Sequence, residues 1–171
     1  MTGDWQKFNK SSNQQMPETN GPDEALKRLQ KICSAQEKCP ADAIILLKRW
    51  GVDQSHHTGI ISRLKEERFI DEVRFADAFV RDKIRLDHWG RVKISYFLRQ
   101  KGLPDGVIGD ACERIDREEY AGMIRRELEK KRKTLKGATR EIWTKLARYG
   151  ASRGYEMDIM YIILDDLTRK G

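Results

Sequence analysis

Long hydrophobic runs are scarce in this chain of 171 residues. The longest are Ala43–Leu47 and Ile159–Leu164, whereas a membrane-spanning helix needs about 20 consecutive apolar residues. The first ten residues, MTGDWQKFNK, also lack the apolar core of a secretory signal peptide. A membrane-spanning protein is therefore excluded, and we expect a soluble protein of the cytoplasm.

Cysteine is rare as well, with Cys33, Cys39 and Cys112 as the three in the chain. An odd number without paired spacing argues against a disulfide scaffold. The separation of Cys33 and Cys39 matches none of the usual zinc spacings. The adjacent His56 and His57 would point about 100° apart on a helix and could not easily share one ion. We therefore expect neither a metal site nor a cofactor.

Proline occurs four times, and none interrupts an apolar-periodic segment after residue 40. Pro22, Pro40 and Pro104 stand where a helix could begin, a position that tolerates the missing N–H group. Hairpin dipeptides flanked by alternating residues are absent, so strands have no support. The pattern predicts an all-α protein, preceded by a disordered N-terminal arm over the polar residues 1–21.

An internal repeat becomes visible when Gly51, Gly102 and Gly150 are aligned. Six fixed offsets from the glycine are apolar in all three copies: Ala25, Ala76, Ile124; Leu29, Val80, Leu128; Ala43, Ile94, Ile142; Leu47, Leu98, Leu146; Ile60, Ala111, Ile159; Leu64, Ile115, Ile163. The offsets form pairs four residues apart, which is the spacing of a buried helical stripe. Each repeat should hold three helices, the second ending at the glycine because glycine adopts the left-handed conformation without strain.

This periodicity predicts three tandem three-helix repeats stacked into an elongated, curved array. The repeats would span residues 22–70, 71–117 and 118–171, after the arm of residues 1–21. The chain is 39% hydrophobic and 36% charged. Such a composition suits a thin array of small units, because each unit keeps much of its surface exposed.

The net charge of +7 is concentrated in two segments. Residues 81–101 hold seven Lys and Arg against two Asp, and residues 125–136 hold seven Lys and Arg against two Glu, which leaves +5 in each segment and −3 elsewhere. Local positive charge attracts polyanions such as nucleic acid or an acidic protein surface. In the second segment, Arg126, Lys130 and Lys133 would share the helix face opposite the apolar stripe.

A contiguous motif lies in the middle repeat, from Glu67 to Lys101 and the glycine that follows: ERFIDEVRFADAFVRDKIRLDHWGRVKISYFLRQKG. It contains an acidic pair, the triplet RFA, an apolar pair, a basic helix end, a glycine and a basic helix ending in KG. This motif resembles the central repeat of the RecX family, the bacterial modulators of the RecA recombinase. The chain departs from the family pattern at Glu72, where Asp is usual, at Trp89 before Gly90, and in the longer turn ASRGYEMD.

The resemblance, which extends over about residues 24–168, implies a non-enzymatic protein of recombination, DNA repair and the SOS response. Members of the family bind the RecA filament on single-stranded DNA along its groove. They modulate, and mainly inhibit, its ATPase, its growth and strand exchange. The resemblance also implies a monomer. We expect its own binding to single-stranded DNA to be weak and salt-sensitive.

The candidate partner-binding and DNA-binding residues come from the motif and the two basic segments: Arg74, Arg81, Lys83, Arg85, Trp89, Arg91, Lys93, Arg99, Lys101, Arg125, Arg126, Lys130, Arg132 and Lys133. The helix that opens at Gly90 and Arg91 would offer free N–H groups to an anion. Trp89 would either stack on a base or pack the junction between two helices.

Other functions remain open at this stage. Catalysis has little support, because the sequence contains no phosphate loop, GxSxG or HExxH motif. The second candidate is a stand-alone nucleic-acid-binding protein built of trihelical modules. Against it, the segment after Gly102, LPDGVIGDACERI, is poor in the Arg, Asn and Gln that read base edges. A protein scaffold without a DNA role is the third.

Overall fold

The computed structural model describes residues 21–169, and this part of the chain is all-helical. Its nine helices are α1 (Pro22–Ala35), α2 (Pro40–Arg49), α3 (Gln54–Glu66), α4 (Glu72–Arg85), α5 (Arg91–Gln100), α6 (Asp105–Glu113), α7 (Arg117–Arg132), α8 (Thr139–Arg153) and α9 (Met157–Arg169). The all-α prediction is confirmed. Within residues 21–169, none of the helices has the length and apolar character of a membrane span.

The helix starts follow the local chemistry of the sequence. Pro22 and Pro40 are the first residues of α1 and α2, and Pro104 directly precedes α6. Asp53 and Asp71 precede α3 and α4, and their carboxylates accept hydrogen bonds of 2.9–3.0 Å from backbone N–H groups of the first helical turn. These caps satisfy donors that have no partner inside the helix.

Helices pack in consecutive sets of three: α1–α3, α4–α6 and α7–α9. Each set surrounds a hydrophobic cluster of its own. Sixteen of the eighteen apolar repeat positions are buried, and the exceptions, Ile115 and Ile159, are half-buried. Ile115 lies just beyond the end of α6. In the third set, α8 continues to Arg153, and the buried residues of α9 are Met160, Ile163 and Leu164.

The predicted role of the repeat glycines holds in two repeats and is wrong in the third. Gly51 and Gly102 follow α2 and α5 with φ of 75° and 78°. Gly150 instead lies inside α8, which continues to Arg153 and ends at the left-handed Gly154. A β-carbon at Gly150 would overlap the side chain of Met160 on α9. Gly150 therefore serves close packing, and Gly154 ends the helix.

The first and second sets are joined by buried and charged contacts. Cys39, at the start of α2, is fully buried in the cluster of the second set. Lys101 donates a 2.7 Å hydrogen bond to Asp42, and Arg74 forms a 2.6 Å ion pair with Glu37. The repeat boundaries at residues 22–70, 71–117 and 118–171, and the elongated, curved shape, stay predictions. The predicted arm lies outside the described residues except for Gly21, which precedes α1.

Candidate partner-binding surface on the second and third repeats

Most cations of the first basic segment and of the RFA motif are paired within the fold. The pairs are Arg74–Glu37 (2.6 Å), Arg81–Asp82 (3.6 Å), Lys83–Asp87 (2.7 Å), Arg91–Glu156 (3.7 Å), Arg99–Asp105 (2.7 Å) and Lys101–Asp42 (2.7 Å). Four of these carboxylates, Glu37, Asp42, Asp105 and Glu156, come from outside residues 81–101. The fold therefore offsets much of the charge that makes this segment look like a basic patch in the sequence.

Arg85 is the clear exception in this segment. Its side chain is exposed, and it forms no ion pair with any other residue in the described range 21–169. Lys83 is only 10% exposed, which makes it a structural residue rather than a surface contact. Of the predicted binding residues before residue 102, Arg85 therefore has the most freedom to meet a partner.

Trp89 packs the junction between α4 and α5. Its ring stacks on Phe97 at a centroid distance of 4.8 Å. The ammonium groups of Lys93 and Lys83 lie 4.4 and 4.7 Å from its centroid, within cation–π range. A base could stack on Trp89 only by displacing these neighbours, so the geometry favours the packing role.

The expected anion site at the start of α5 is wrong, because its N–H groups have partners. Gly90 and Val92 donate 2.8 and 3.1 Å hydrogen bonds to the carbonyls of Arg153 and Gly154 at the end of α8. The N–H group of Arg91 donates to the hydroxyl of Tyr120 at 2.9 Å. The end of α8 thus occupies the position that a bound anion would take.

Tyr120 connects the second and third repeats at this contact. It is 1% exposed, and its hydroxyl donates a 2.5 Å hydrogen bond to Glu156. Burial, followed by the hydrogen bond to Glu156, raises the pKa of Tyr120 far above its usual range. The hydroxyl therefore stays protonated and can accept from Arg91 while it donates to Glu156.

The second basic segment keeps its charge at the surface. Arg126, Lys130 and Lys133 are exposed, as the helical spacing predicts, and none of them forms an ion pair with the rest of the described chain. Arg125 is held by Asp166 at 2.6 Å, and Arg132 is half-buried. The row Arg126, Lys130 and Lys133 is therefore exposed and available to a partner, while its binding role stays a prediction.

The sequence analysis did not identify a further set of exposed cations on α8. Arg140, Lys145 and Arg148 are exposed, and between residues 21 and 169 no acid forms an ion pair with them. From Tyr120 to Tyr155 the chain holds eleven Lys and Arg but three Glu, a net charge of +8 that exceeds the +7 of the whole chain. A charge sum over residues 120–155, rather than over the densest run, would have revealed this surface.

A cleft of about 240 Å³ lies between α7 and α8. Its lining residues are Glu127, Lys130, Lys131, Thr134, Tyr149 and Arg153. The cleft borders the contact between the second and third repeats, because Glu127 also lies 3.1 Å from Nδ1 of His88 in the turn before α5.

Comparison with known proteins agrees with this architecture. Residues 71–111 match the family model described as RecX, second three-helix domain. Residues 118–164 match the one described as RecX, third three-helix domain. Together the two matches cover most of α4–α9. The candidate surface lies on these same helices.

Individual relatives point the same way. The chain is 36% identical to regulatory protein RecX of Clostridium botulinum over 64% of this chain and 52% of that protein. It is 31% identical to regulatory protein RecX of Prosthecochloris aestuarii over 71% of this chain and 78% of that protein. The chain spans about half the length of the first curated relatives it matches.

A solved structure described as regulatory protein RecX superimposes with a TM-score of 0.77, covering 84% of this chain and 73% of that chain at 23% identity, and so supports the fold. With two consecutive domain matches and a 31% identical relative matched over 78% of its length, the chain belongs to the RecX family of regulatory proteins.

Proposed function

We propose that the protein regulates homologous recombination and DNA repair by binding a RecA-type recombinase filament on single-stranded DNA. It modulates, and mainly inhibits, the ATPase of the filament, its growth and strand exchange. Family membership supports a regulatory role, and the resemblance of the central motif supports a recombinase as the partner. The observation that carries the nucleic-acid part is the +8 charge of residues 120–155, since a nucleoprotein filament is a polyanion.

The protein acts in this proposal by binding rather than by catalysis. Exposed cations without an internal carboxylate, such as Arg126 and Lys130, contact phosphates or acidic side chains. Paired cations such as Lys101 and Arg74 hold adjacent repeats together. In this proposal the protein is a monomer and acts in the cytoplasm, where the recombinase and the chromosome are.

The test is a titration of the protein into a recombinase that hydrolyses ATP on single-stranded DNA. We expect hydrolysis to fall, and filaments seen by electron microscopy to shorten, at micromolar protein. Recombinase without DNA, at the same protein concentrations, is the control for an effect on free recombinase. Unchanged hydrolysis and filament length would contradict the proposal.

The charge of α7 and α8 also keeps a second candidate open, a stand-alone nucleic-acid-binding protein. A gel shift without recombinase separates the two. Sequence-specific binding that survives ~200 mM salt favours the stand-alone protein, because phosphate contacts alone weaken steeply with salt. Weak, salt-sensitive binding favours the filament regulator.

A further inference from the structure

The cleft between α7 and α8 is a concave part of the basic surface. Its volume of about 240 Å³ is below the roughly 300–1,000 Å³ of sites that enclose whole small molecules. A space of this size suits one charged group of a larger ligand. The lining residues Lys130, Lys131 and Arg153 supply three cations.

The one carboxylate among the lining residues is already engaged. Glu127 accepts a 3.1 Å hydrogen bond from the hydroxyl of Tyr149 and lies 3.1 Å from Nδ1 of His88. It also lies 3.5 Å from the guanidinium of Arg153. With three cations against one engaged carboxylate, the cleft keeps a positive potential.

Arg153 has donor capacity that the fold leaves unused. Its Nε is buried and has no hydrogen-bond partner within the described part of the chain. The 3.5 Å contact with Glu127 is longer than the roughly 2.7–2.9 Å of a strong charge-assisted hydrogen bond. The Arg153 side chain is 29% exposed and lines the cleft, so its terminal N–H groups can donate to an oxyanion there.

Tyr149 forms one wall of the cleft and fixes the cations around it. The Nζ of Lys131 and the guanidinium carbon of Arg153 each lie 5.7 Å from the centre of its ring. Burial raises the pKa of Tyr149, so its hydroxyl remains a neutral donor to Glu127. The cations are thus held near the cleft by an aromatic surface rather than by a second carboxylate.

We propose that this cleft binds a phosphate group, supplied either by the backbone of a single-stranded polynucleotide or by a free nucleotide. A phosphate offers several acceptor oxygens, which match the fork of Arg153 and the two lysine ammonium groups. The inference deepens the proposed function and rests on it for single-stranded DNA as a source of the phosphate. Neither Arg153 nor Lys131 belongs to the binding residues that the sequence predicts.

Binding is measured with the full chain and a labelled 12-nucleotide oligo-dT by fluorescence anisotropy, without recombinase. We expect Arg153→Gln and Lys131→Gln each to weaken binding about three- to tenfold, and to lower the salt slope by about 0.7 per lost contact. Arg49→Gln, the same charge change at an exposed position of α2 in the first repeat, should weaken it less than twofold. Circular dichroism checks the fold of each variant.

NMR identifies the position and source of the phosphate. Because Glu127 links the cleft to His88, the imidazole signals of His88 should shift on binding, while those of His56 and His57 on α3 should not. A shift with oligo-dT but not with ATP at equal phosphate concentration assigns the backbone. A shift with ATP assigns a free nucleotide.

Unchanged oligonucleotide affinity in both cleft variants would overturn the proposal, as would equally effective competition by poly-glutamate, which would mark a site for an acidic peptide. This failure is distinct from failure of the proposed function. If the recombinase ATPase is still inhibited by the wild-type protein, the filament-regulator proposal stands while the phosphate cleft falls.

Discussion

Gly90 and Gly154 face each other where the start of α5 meets the end of α8. A β-carbon at Gly90 would overlap the carbonyl group of Gly154, and one at Gly154 would overlap Lys93. The close approach lets the N–H groups of Gly90 and Val92 reach the last carbonyls of α8. The positive end of one helix dipole thus meets the negative end of another. This contact fixes the third repeat against the second.

Gly90→Ala should therefore lower the free energy of unfolding by about 2–4 kcal/mol, because backbone atoms must move apart to admit the methyl group. Urea denaturation followed by circular dichroism measures the change. The matched control is Gly59→Ala inside α3, where a β-carbon meets open space. It should raise stability by about 0.5–1 kcal/mol through helix propensity. Equal stability of both variants would show that the contact is not formed.

Tyr120→Phe should cost about 1–3 kcal/mol of unfolding free energy. Without the hydroxyl, the N–H group of Arg91 loses its acceptor and the half-buried Glu156 loses a donor. Tyr161→Phe is the control, because Tyr161 is 53% exposed and its contact with Trp143 involves the ring. That change should stay within about 0.5 kcal/mol. Faster amide exchange at Arg91 in Tyr120→Phe alone would locate the effect, and equal costs would contradict the role given to the hydroxyl.

The repeat pattern predicted the helical core because burial recurs with the helical period, as at Leu47, Leu98 and Leu146, all 0% exposed. Contacts between repeats carry no such period. Lys101 pairs with Asp42 across 59 residues, and Arg74 pairs with Glu37 across 37. In the sequence, Lys101 and Arg74 have no evident partner, because their carboxylates come close to them only in the folded structure.

The start of α5 is a second example of a contact between repeats that the sequence does not predict. The sequence pattern correctly places a helix start after Gly90, where unpaired N–H groups are expected. The pattern does not show that carbonyl groups at the end of α8 accept hydrogen bonds from these N–H groups. The third repeat misled for a related reason, because aligning Gly150 with Gly51 and Gly102 hides the longer helix α8, which continues to Arg153 and ends at Gly154.

The thiols should react in the order of their exposure. Cys39 is 0% exposed, and burial together with the nearby carboxylate of Asp42 raises its pKa to about 11. Burial also raises the pKa of Cys33 and of the half-buried Cys112. At pH 8, iodoacetamide should modify Cys112 first, and Cys33 and Cys39 only when the protein unfolds. Peptide mapping by mass spectrometry gives the order, and early labelling of Cys39 would contradict its burial.

The raised pKa of Cys39 also predicts a dependence of stability on pH. The folded state favours the protonated thiol, so this contribution is complete below the ordinary thiol pKa of about 8.5 and is lost as pH rises through about 11. Cys39→Ala removes the contribution. Between pH 8 and 11, the wild-type protein should therefore lose more unfolding free energy than Cys39→Ala does. Parallel pH profiles in urea denaturation would rule the effect out.

The triple variant Arg126→Glu, Lys130→Glu, Lys133→Glu tests whether the exposed row on α7 carries the regulatory activity. The three cations have no carboxylate partner among residues 21–169, so their reversal breaks no internal ion pair and should leave stability within about 0.5 kcal/mol. At least tenfold more protein should then be needed to inhibit the recombinase ATPase, because repulsion replaces three attractive contacts with a polyanion. The matched control, Lys27→Glu, Lys31→Glu, Lys48→Glu, makes the same change in net charge at exposed positions of the first repeat. If both variants lose inhibition equally, net charge and not this row drives binding; if neither does, the contact surface lies outside α7.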